Sequence, residues 1–286
     1  MNYKIHRLLT ASLIILSATA TLTCAGSVDT GNDQLRKAAS LLRTNQNQDA
    51  LLAASAAPAD GSRNLLAGEA ALRLKRYDEA IRYLTDAERG YPLLADLAAA
   101  LKADALFGKK QYRDAATVAL HAAKLSPNPA ISRRMEKLAA DALFEADDLK
   151  GALAAYRQFT TRHTLGKDHV EALFQTAQCL EQLGEPGSAV QIFRIIHLQH
   201  PASAVASKAL DHLKSLEKKG QKQATSYTAE DQFRRGELLL AKNRPNDAAW
   251  AFAGIPRVNL PDELLTRIEL KSGQAAIKQR NYSLAE

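Results

Sequence analysis

The stretch GEAALRLKRYDEA, residues 68–80, carries the pattern that decides the fold. It begins with the small residue Gly68 and ends with the small residue Ala80, twelve positions later. The same spacing recurs along the chain, in the pairs Ala38/Ala50, Gly68/Ala80, Ala103/Ala115, Ala140/Ala152, Ala177/Ala189, Gly236/Ala248 and Gly273/Ala285. The second members follow one another at intervals of 30, 35, 37, 37, 59 and 37 residues. A short fixed spacing inside a longer repeat predicts a helical hairpin that is stacked many times.

Each pair fits two antiparallel helices that approach closely, because Gly or Ala at both contacts leaves no bulky side chain between them. Asp, Asn and Pro precede the second small residue and suit a helix start. Four positions after it, a larger apolar residue would fill the groove on the same helix face, as at Leu84, Tyr156, Phe193 and Phe252. Twelve positions after it, a proline would end the second helix, as at Pro92, Pro127 and Pro201.

This sequence of a small residue, Tyr-x-x-Ala, an aromatic residue and Pro in units of about 34 to 37 residues resembles the tetratricopeptide repeat (TPR). The resemblance implies an all-α superhelical solenoid of about seven hairpins, starting near Gln34. Residues 34–219 are expected to form the superhelix, 220–228 a hinge, and 229–286 its continuation. Within the long 59-residue interval, residues 202–219 predict an additional helix.

The N-terminus has the layout of a secretory signal peptide. Lys4 and Arg7 precede an apolar run over residues 8–16 and then small residues. The sequence offers two alternative processing sites. One is the A-x-A site at residues 18–20, and the other is a lipoprotein box that ends at Cys24, whose side chain would be lipidated. Residues 1–24 are thus expected to be the signal and 25–33 a linker. The expected location is the periplasm, with an outer-membrane anchor if Cys24 is lipidated.

Charge suggests which partner the solenoid would bind. The formal net charge is +7, of which Lys4 and Arg7 contribute two, and no basic patch with interleaved aromatic residues predicts nucleic-acid binding. The TPR resemblance implies that the residue after the first small position faces the concave groove: Glu69, Asp104, Asp141, Gln178, Glu237 and Gln274. These residues predict a protein or peptide partner with a cationic segment. The alternative is a solvated polar stripe.

No catalytic motif stands out, and no cofactor or metal site is expected. Cys179 fits a buried, inert thiol, and the spacing of His197 and His200 fits polar residues at a helix end better than metal ligands. The last small pair ends at Ala285, directly before Glu286, so the final hairpin looks truncated. The preceding helix, with Leu264, Leu265, Ile268, Leu270, Ala276 and Ile277, would expose its apolar stripe.

A second resemblance covers residues 155–255. The segments Tyr156–Phe159, Ile196–Ser203 and Phe233–Leu240 are similar to the helical N-terminal region of soluble lytic transglycosylases. That resemblance implies a supporting solenoid, whose separate catalytic domain is missing from this chain. Two hypotheses follow: an exported, non-catalytic scaffold of the cell envelope, or the support domain of a peptidoglycan-cleaving enzyme.

Overall fold

The computed structural model describes residues 29–279. Within that range the chain forms fourteen α-helices and no β-strand. The all-α class and the α-solenoid predicted from the repeat are confirmed. The chain divides into two compact units after Asp148.

The first unit contains seven helices and a short 3₁₀ turn at Pro92–Leu94. In chain order the helices are α1 (Asp29–Arg43), α2 (Asn47–Ala56), α3 (Gly61–Arg73), α4 (Tyr77–Gly90), α5 (Ala95–Gly108), α6 (Tyr112–Leu125) and α7 (Pro129–Glu145). Each helix in this unit packs against the next one along the chain. The first helices of successive hairpins also touch, α1 against α3, α3 against α5 and α5 against α7.

The second unit contains the other seven helices. They are α8 (Leu149–Arg162), α9 (Lys167–Gln182), α10 (Pro186–Gln199), α11 (Ala206–Lys218), α12 (Ala229–Ala241), α13 (Pro245–Ala253) and α14 (Asp262–Lys278). Helix α11 packs on α10, and α12 packs on α10, α13 and α14. The core of the last three helices contains Phe233, Phe252 and Ile268.

The two helices of a hairpin meet at the small residues. Every small residue from Ala38 to Ala248 in the twelve-residue pairs is buried. A Cβ atom placed on Gly68 would lie 2.6 Å from Leu84 Cγ, and one on Gly236 would lie 2.6 Å from Phe252 Cζ. The larger residue four positions after the second Ala therefore occupies space that the first small residue leaves open, as the sequence predicts.

A three-residue turn of constant form joins the helices of each hairpin. The second helix begins three residues before the second small residue in every case, at Asn47, Tyr77, Tyr112, Leu149, Pro186 and Pro245. The middle residue of each turn has a left-handed backbone with φ between 56° and 80°, at Asn45, Lys75, Lys110, Asp147, Gly184 and Asn243. The left-handed residue lets the following amides bond back to carbonyls of the first helix. For example, Arg76 N donates to Ala71 O over 2.9 Å.

The connections between hairpins contain the predicted prolines. Pro92, Pro127 and Pro201 each lie two residues after the last residue of a second helix, at the position where the sequence predicts the helix to have ended. The additional helix is present as α11, and it begins four residues later than predicted because residues 201–205 form turns. Residues 219–228 are non-helical. The domain boundaries themselves stay predictions.

Some predicted features fall outside the described residues. They are the signal segment with Cys24, and the end of the last hairpin with Ala285 and Glu286. The apolar stripe that the sequence predicts to be exposed on α14 lies within the described residues, and this prediction is wrong in part. Leu264 and Ile268 are buried against α12 and α13, whereas Leu270 is 60% exposed and Ile277 is 53% exposed. The apolar residues of α14 thus lie on two faces rather than one.

We predict that Gly236→Ala lowers the free energy of unfolding by about 1–3 kcal/mol, because the new methyl group would clash with the Phe252 ring. Helix propensity alone would favour alanine by up to about 1 kcal/mol. Gly187→Ala is the matched control, since Gly187 lies on helix α10 with no atom within 4 Å of a new Cβ. Urea unfolding followed by circular dichroism measures both variants. Equal effects of the two substitutions would contradict the close-contact explanation.

Candidate functional site

The six residues that follow the first small position, here called the first-helix row, fall into separate groups. In the first unit, Glu69, Asp104 and Asp141 lie on the neighbouring helices α3, α5 and α7. In the second unit, Glu237 on α12 and Gln274 on α14 line one shared depression. Gln178 on α9 does not line that depression. The structure thus places three of these residues on neighbouring helices of the first unit and two in one depression of the second.

Glu69 is only 4% exposed and pairs with an arginine on its own helix. Arg73 Nη2 lies 2.5 Å from Glu69 Oε1, and Arg73 also donates to the carbonyl oxygen of Leu42 on α1. A buried carboxylate is stable when a cation and hydrogen bonds compensate it. Glu69 therefore joins α3 to α1 through Arg73 and is not a free surface carboxylate.

Asp104 and Asp141 also lie beside cations. Arg134 Nη1 on α7 donates to both carboxylate oxygens of Asp104 on α5, over 2.7 and 2.9 Å. Burial raises the pKa of Asp104 more strongly than Arg134 lowers it. Lys137 Nζ lies 2.8 Å from Asp141 Oδ2, one helical turn away. The carboxylates in the first unit are thus compensated by neighbouring cations, and their role in binding stays a prediction.

The depression in the second unit lies between α12 and α14 and has a volume of about 610 Å³. Its lining combines three cations, one carboxylate and an apolar floor: Arg234, Glu237, Leu238, Leu240, Ala241, Lys271, Gln274 and Lys278. Lys271 Nζ lies 3.6 Å from Glu237 Oε1. Lys278 Nζ donates to Leu240 O over 3.4 Å. This surface offers both apolar contact and hydrogen-bond donors to a bound segment.

A second cluster in the same unit, here called the His197 corner, consists of Arg194, His197, Lys214, Tyr227 and Arg235. The rings of His197 and Tyr227 lie 5.2 Å apart, and the Arg194 guanidinium lies 4.9 Å from the centre of the Tyr227 ring. Burial, together with the charges of Arg235, Lys214 and Arg194, lowers the pKa of His197 to about 4, against an opposing contribution from the Ala206 backbone. His197 is therefore neutral near pH 7.

Arg194 holds the connection between α11 and α12 in place. Its Nη1 atom donates to the carbonyl oxygens of Gln223, Ala224 and Ser226, over 3.0, 3.2 and 2.6 Å. Between these residues, Thr225 Oγ1 donates to Glu217 on α11. The segment that the sequence predicts to be a hinge is thus fixed to α10 and α11 by side chains.

The described cysteine and the metal-ligating residue types bear on reactive chemistry. Cys179 is fully buried, and burial raises the pKa of its thiol to about 11, which keeps it protonated. Between residues 29 and 279, no three His, Cys, Asp or Glu side chains are grouped so as to hold a metal ion. In the same range no helix has the length and apolar character needed to cross a membrane.

A family model supports the repeat over part of the chain. Residues 137–199 match the family model of the tetratricopeptide repeat. Two solved structures are similar to the chain: the apo form of RapI, at 12% identity with a TM-score of 0.49, and the P58(IPK) TPR domain, at 16% identity with a TM-score of 0.36. The alignments cover 88% of this chain and 98% of RapI, and 90% of this chain and 81% of the P58(IPK) domain. No curated protein matches the sequence.

We predict that the second unit loses about 2 kcal/mol of stability between pH 7 and pH 5 through His197 alone. The folded-state pKa of about 4 lies below the ordinary value of 6.5, so the unfolded chain binds the proton first as the pH falls. The stabilisation is complete above pH 6.5 and is lost as the pH falls towards 4.

The measurement is urea unfolding of the wild type and of His197→Phe at both pH values. The phenylalanine keeps a ring next to Tyr227 and has no titrating group, so the pH-dependent difference should shrink by about that amount. The same loss in both proteins would show that other groups cause it.

Proposed function

We propose that the chain is a non-catalytic scaffold that binds a protein or peptide segment along its first helices. The match of residues 137–199 to the tetratricopeptide-repeat family model supports this proposal. The observation that carries this proposal is the depression between α12 and α14, which is lined by Glu237 and Gln274 of the first-helix row. Helical repeats use such open surfaces to hold extended or helical segments.

The charge of the partner segment is a separate part of the proposal. The carboxylates of the first-helix row, taken alone, favour a cationic segment. However, each of them lies beside a cation, and the α12–α14 depression contains three cations and one carboxylate. A segment that carries a carboxylate as well as apolar side chains complements this depression better than a purely cationic one.

Export to the cell envelope is the proposed setting for this scaffold. It rests on Lys4, Arg7 and the following apolar run, which together have the composition of a secretory signal. The A-x-A site gives a released periplasmic protein, and modification of Cys24 gives an anchored one.

The support domain of a lytic transglycosylase remains the alternative. It is favoured by the order of elements in the second unit, where α11 and the 219–228 connection follow His200 and Pro201 as the resemblance implies. In that case the solenoid would position a catalytic domain on peptidoglycan, and the residues described here would supply no catalytic group.

We predict that a photo-crosslinking amino acid at position 274 gives a discrete protein adduct in cells, whereas the same amino acid at position 269 does not. Both positions are exposed on α14, but only Gln274 lines the depression. Leu238→Asp should weaken the adduct at position 274 at least fivefold, because it places a charge on the apolar part of the lining. Equal adducts at both positions would contradict a specific site.

Cell fractionation tests the proposed location. We expect an antibody against residues 60–200 to detect the protein outside the cytoplasm, where its size is compared with the 31.1 kDa of the sequence given. Deletion of residues 4–20 should keep it in the cytoplasm. Cytoplasmic wild-type protein would contradict export, whereas an envelope band far above 31.1 kDa would favour the transglycosylase alternative.

A further inference from the structure

Helix α14 carries an exposed apolar strip beside the α12–α14 depression. Leu270 is 60% exposed and Ile277 is 53% exposed. They are seven positions apart, so they lie on one line of the helix, with Gln274 between them. Because Gln274 also lines the depression, these three residues, here called the α14 strip, form one border of it.

The same repeat positions are buried in earlier hairpins. Leu270 lies three positions before the first small residue, Gly273, and Ile277 lies four positions after it. The cover on α12 includes the next first helix, because α14 packs on α12 and places the Arg267 guanidinium 4.4 Å from the centre of the Phe233 ring. The α14 strip therefore corresponds to a face that suits a packed helix better than an extended segment. The buried equivalents are Leu65, Ala100, Phe174 and Phe233 at the earlier position, and Leu42 and Leu240 at the later one.

A row of positive charge follows the strip on the side of the depression. Lys271 and Lys278 each come one position after a strip residue, and both line the depression. They are seven positions apart, which is about 10 Å along the helix. Lys271 Nζ lies 3.6 Å from Glu237 Oε1. Lys278 Nζ donates to Leu240 O over 3.4 Å and pairs with no carboxylate between residues 29 and 279.

The opposite wall of the depression adds to this charge. Arg234 on α12 lies 3.3 Å from Glu230, and Arg267 on α14 lies 3.3 Å from the same carboxylate oxygen. Two arginines thus share one carboxylate, while the two lysines have only Glu237. A partner that supplies carboxylates would compensate the remaining charge. Since exposed ion pairs contribute little affinity, the apolar strip would provide most of the binding and the charges would orient the partner.

A second copy of this chain fits the strip less well than an acidic partner. Two copies related by a two-fold axis present the same patch to each other. With α14 antiparallel to its copy, the lysine row of one strip would face the lysine row of the other, and like charges disfavour that contact. Charge complementarity therefore favours a different protein with carboxylates at this edge.

We propose that the α14 strip binds an amphipathic α-helix of a partner protein, with its apolar side chains on Leu270 and Ile277 and two carboxylates beside Lys271 and Lys278. The apolar residues of this helix would recur at i, i+3 or i+4 and i+7, and its two carboxylates would be seven positions apart. The inference rests on the proposed scaffold function, and it names the class of segment that the scaffold binds.

The test uses three fluorescein-labelled synthetic peptides of about 18 residues, or ~5 helical turns. The acidic peptide is alanine-rich, with leucine at i, i+4, i+7 and i+11 and two glutamates seven positions apart beside that face. The basic peptide has lysine in place of both glutamates. The third peptide is the acidic one with two central prolines, which prevent a helix. Fluorescence anisotropy measures their binding to the full chain.

We expect the acidic peptide to bind at least tenfold more tightly than either of the other two. Its advantage over the basic peptide should shrink as salt is added, because salt screens exposed charges. Equal binding of the acidic and basic peptides would overturn the proposed charge of the partner. Equal binding of the acidic and proline-containing peptides would show that the partner segment is not a helix.

An apolar variant locates the peptide on the strip. Leu270→Asp should weaken binding of the acidic peptide at least tenfold, because it places a carboxylate on the apolar contact. Val258→Asp is the matched control, since Val258 is 76% exposed in the same unit and does not line the depression; it should change the affinity less than twofold. Equal effects of the two substitutions would contradict the site.

A charge variant tests the lysine row without touching the apolar contact. The double substitution Lys271→Gln and Lys278→Gln should weaken binding of the acidic peptide at least fivefold and leave the basic peptide no weaker. Lys218→Gln with Lys222→Gln removes the same charge from exposed positions outside the depression and should change the affinity less than twofold. Equal losses in the two double variants would indicate general attraction to a basic surface.

Two further outcomes would assign the strip to another occupant and overturn the proposal. One is a dimer, measured by analytical ultracentrifugation, that Leu270→Asp dissociates. The other is peptide binding that occurs only after residues 280–286 are deleted.

The adduct at position 274 separates this inference from the scaffold function on which it rests. An adduct in cells without binding of the acidic peptide would leave the scaffold function standing and exclude an acidic helix as its partner. Binding of the acidic peptide without an adduct in cells would contradict the scaffold function instead.

Discussion

Close contact between paired helices at small residues is the constraint on which the rest of the structure depends. Gly68 leaves space for Leu84, and Gly236 leaves space for the ring of Phe252. Because the larger side chain fills the space in front of the smaller one, each hairpin has one register that packs well. That register fixes the residue at which the second helix begins. It also determines which side chains of the hairpin face the next hairpin.

The sequence predicted this architecture because the small contact residues recur at a fixed spacing. The other positions differ from one repeat to the next without hiding that spacing. It did not predict the left-handed turn residues, two of which are Lys75 and Lys110. Lysine has no preference for this backbone conformation. The conformation is imposed by the need to reverse the chain in three residues, so it follows from the spacing and not from the residue type. The two-faced burial in α14 was missed for a related reason, since periodicity alone does not reveal which helices cover each face.

The sequence predicts which residues form the first-helix row, but not which charges lie beside them. The first-helix row follows from the spacing, yet the cation beside Asp104 comes from Arg134 on the next first helix, and that beside Glu237 comes from Lys271. Such partners depend on how neighbouring hairpins pack, which the sequence does not specify. The His197 corner depends on α11 and the 219–228 connection, which interrupt the repeat.

The hairpin turns have a constant length, whereas the connections between hairpins vary in length. The two kinds of segment therefore differ in how well they tolerate an inserted residue. Each hairpin turn has three residues with the same backbone form, so one added residue there would rotate the second helix by about 100° and turn its apolar face away from its partner. The connections between hairpins differ widely, from three residues before α7 to ten before α12. Over evolutionary time, insertions and deletions should therefore collect between hairpins, where new surface can arise without disturbing the helices that carry it.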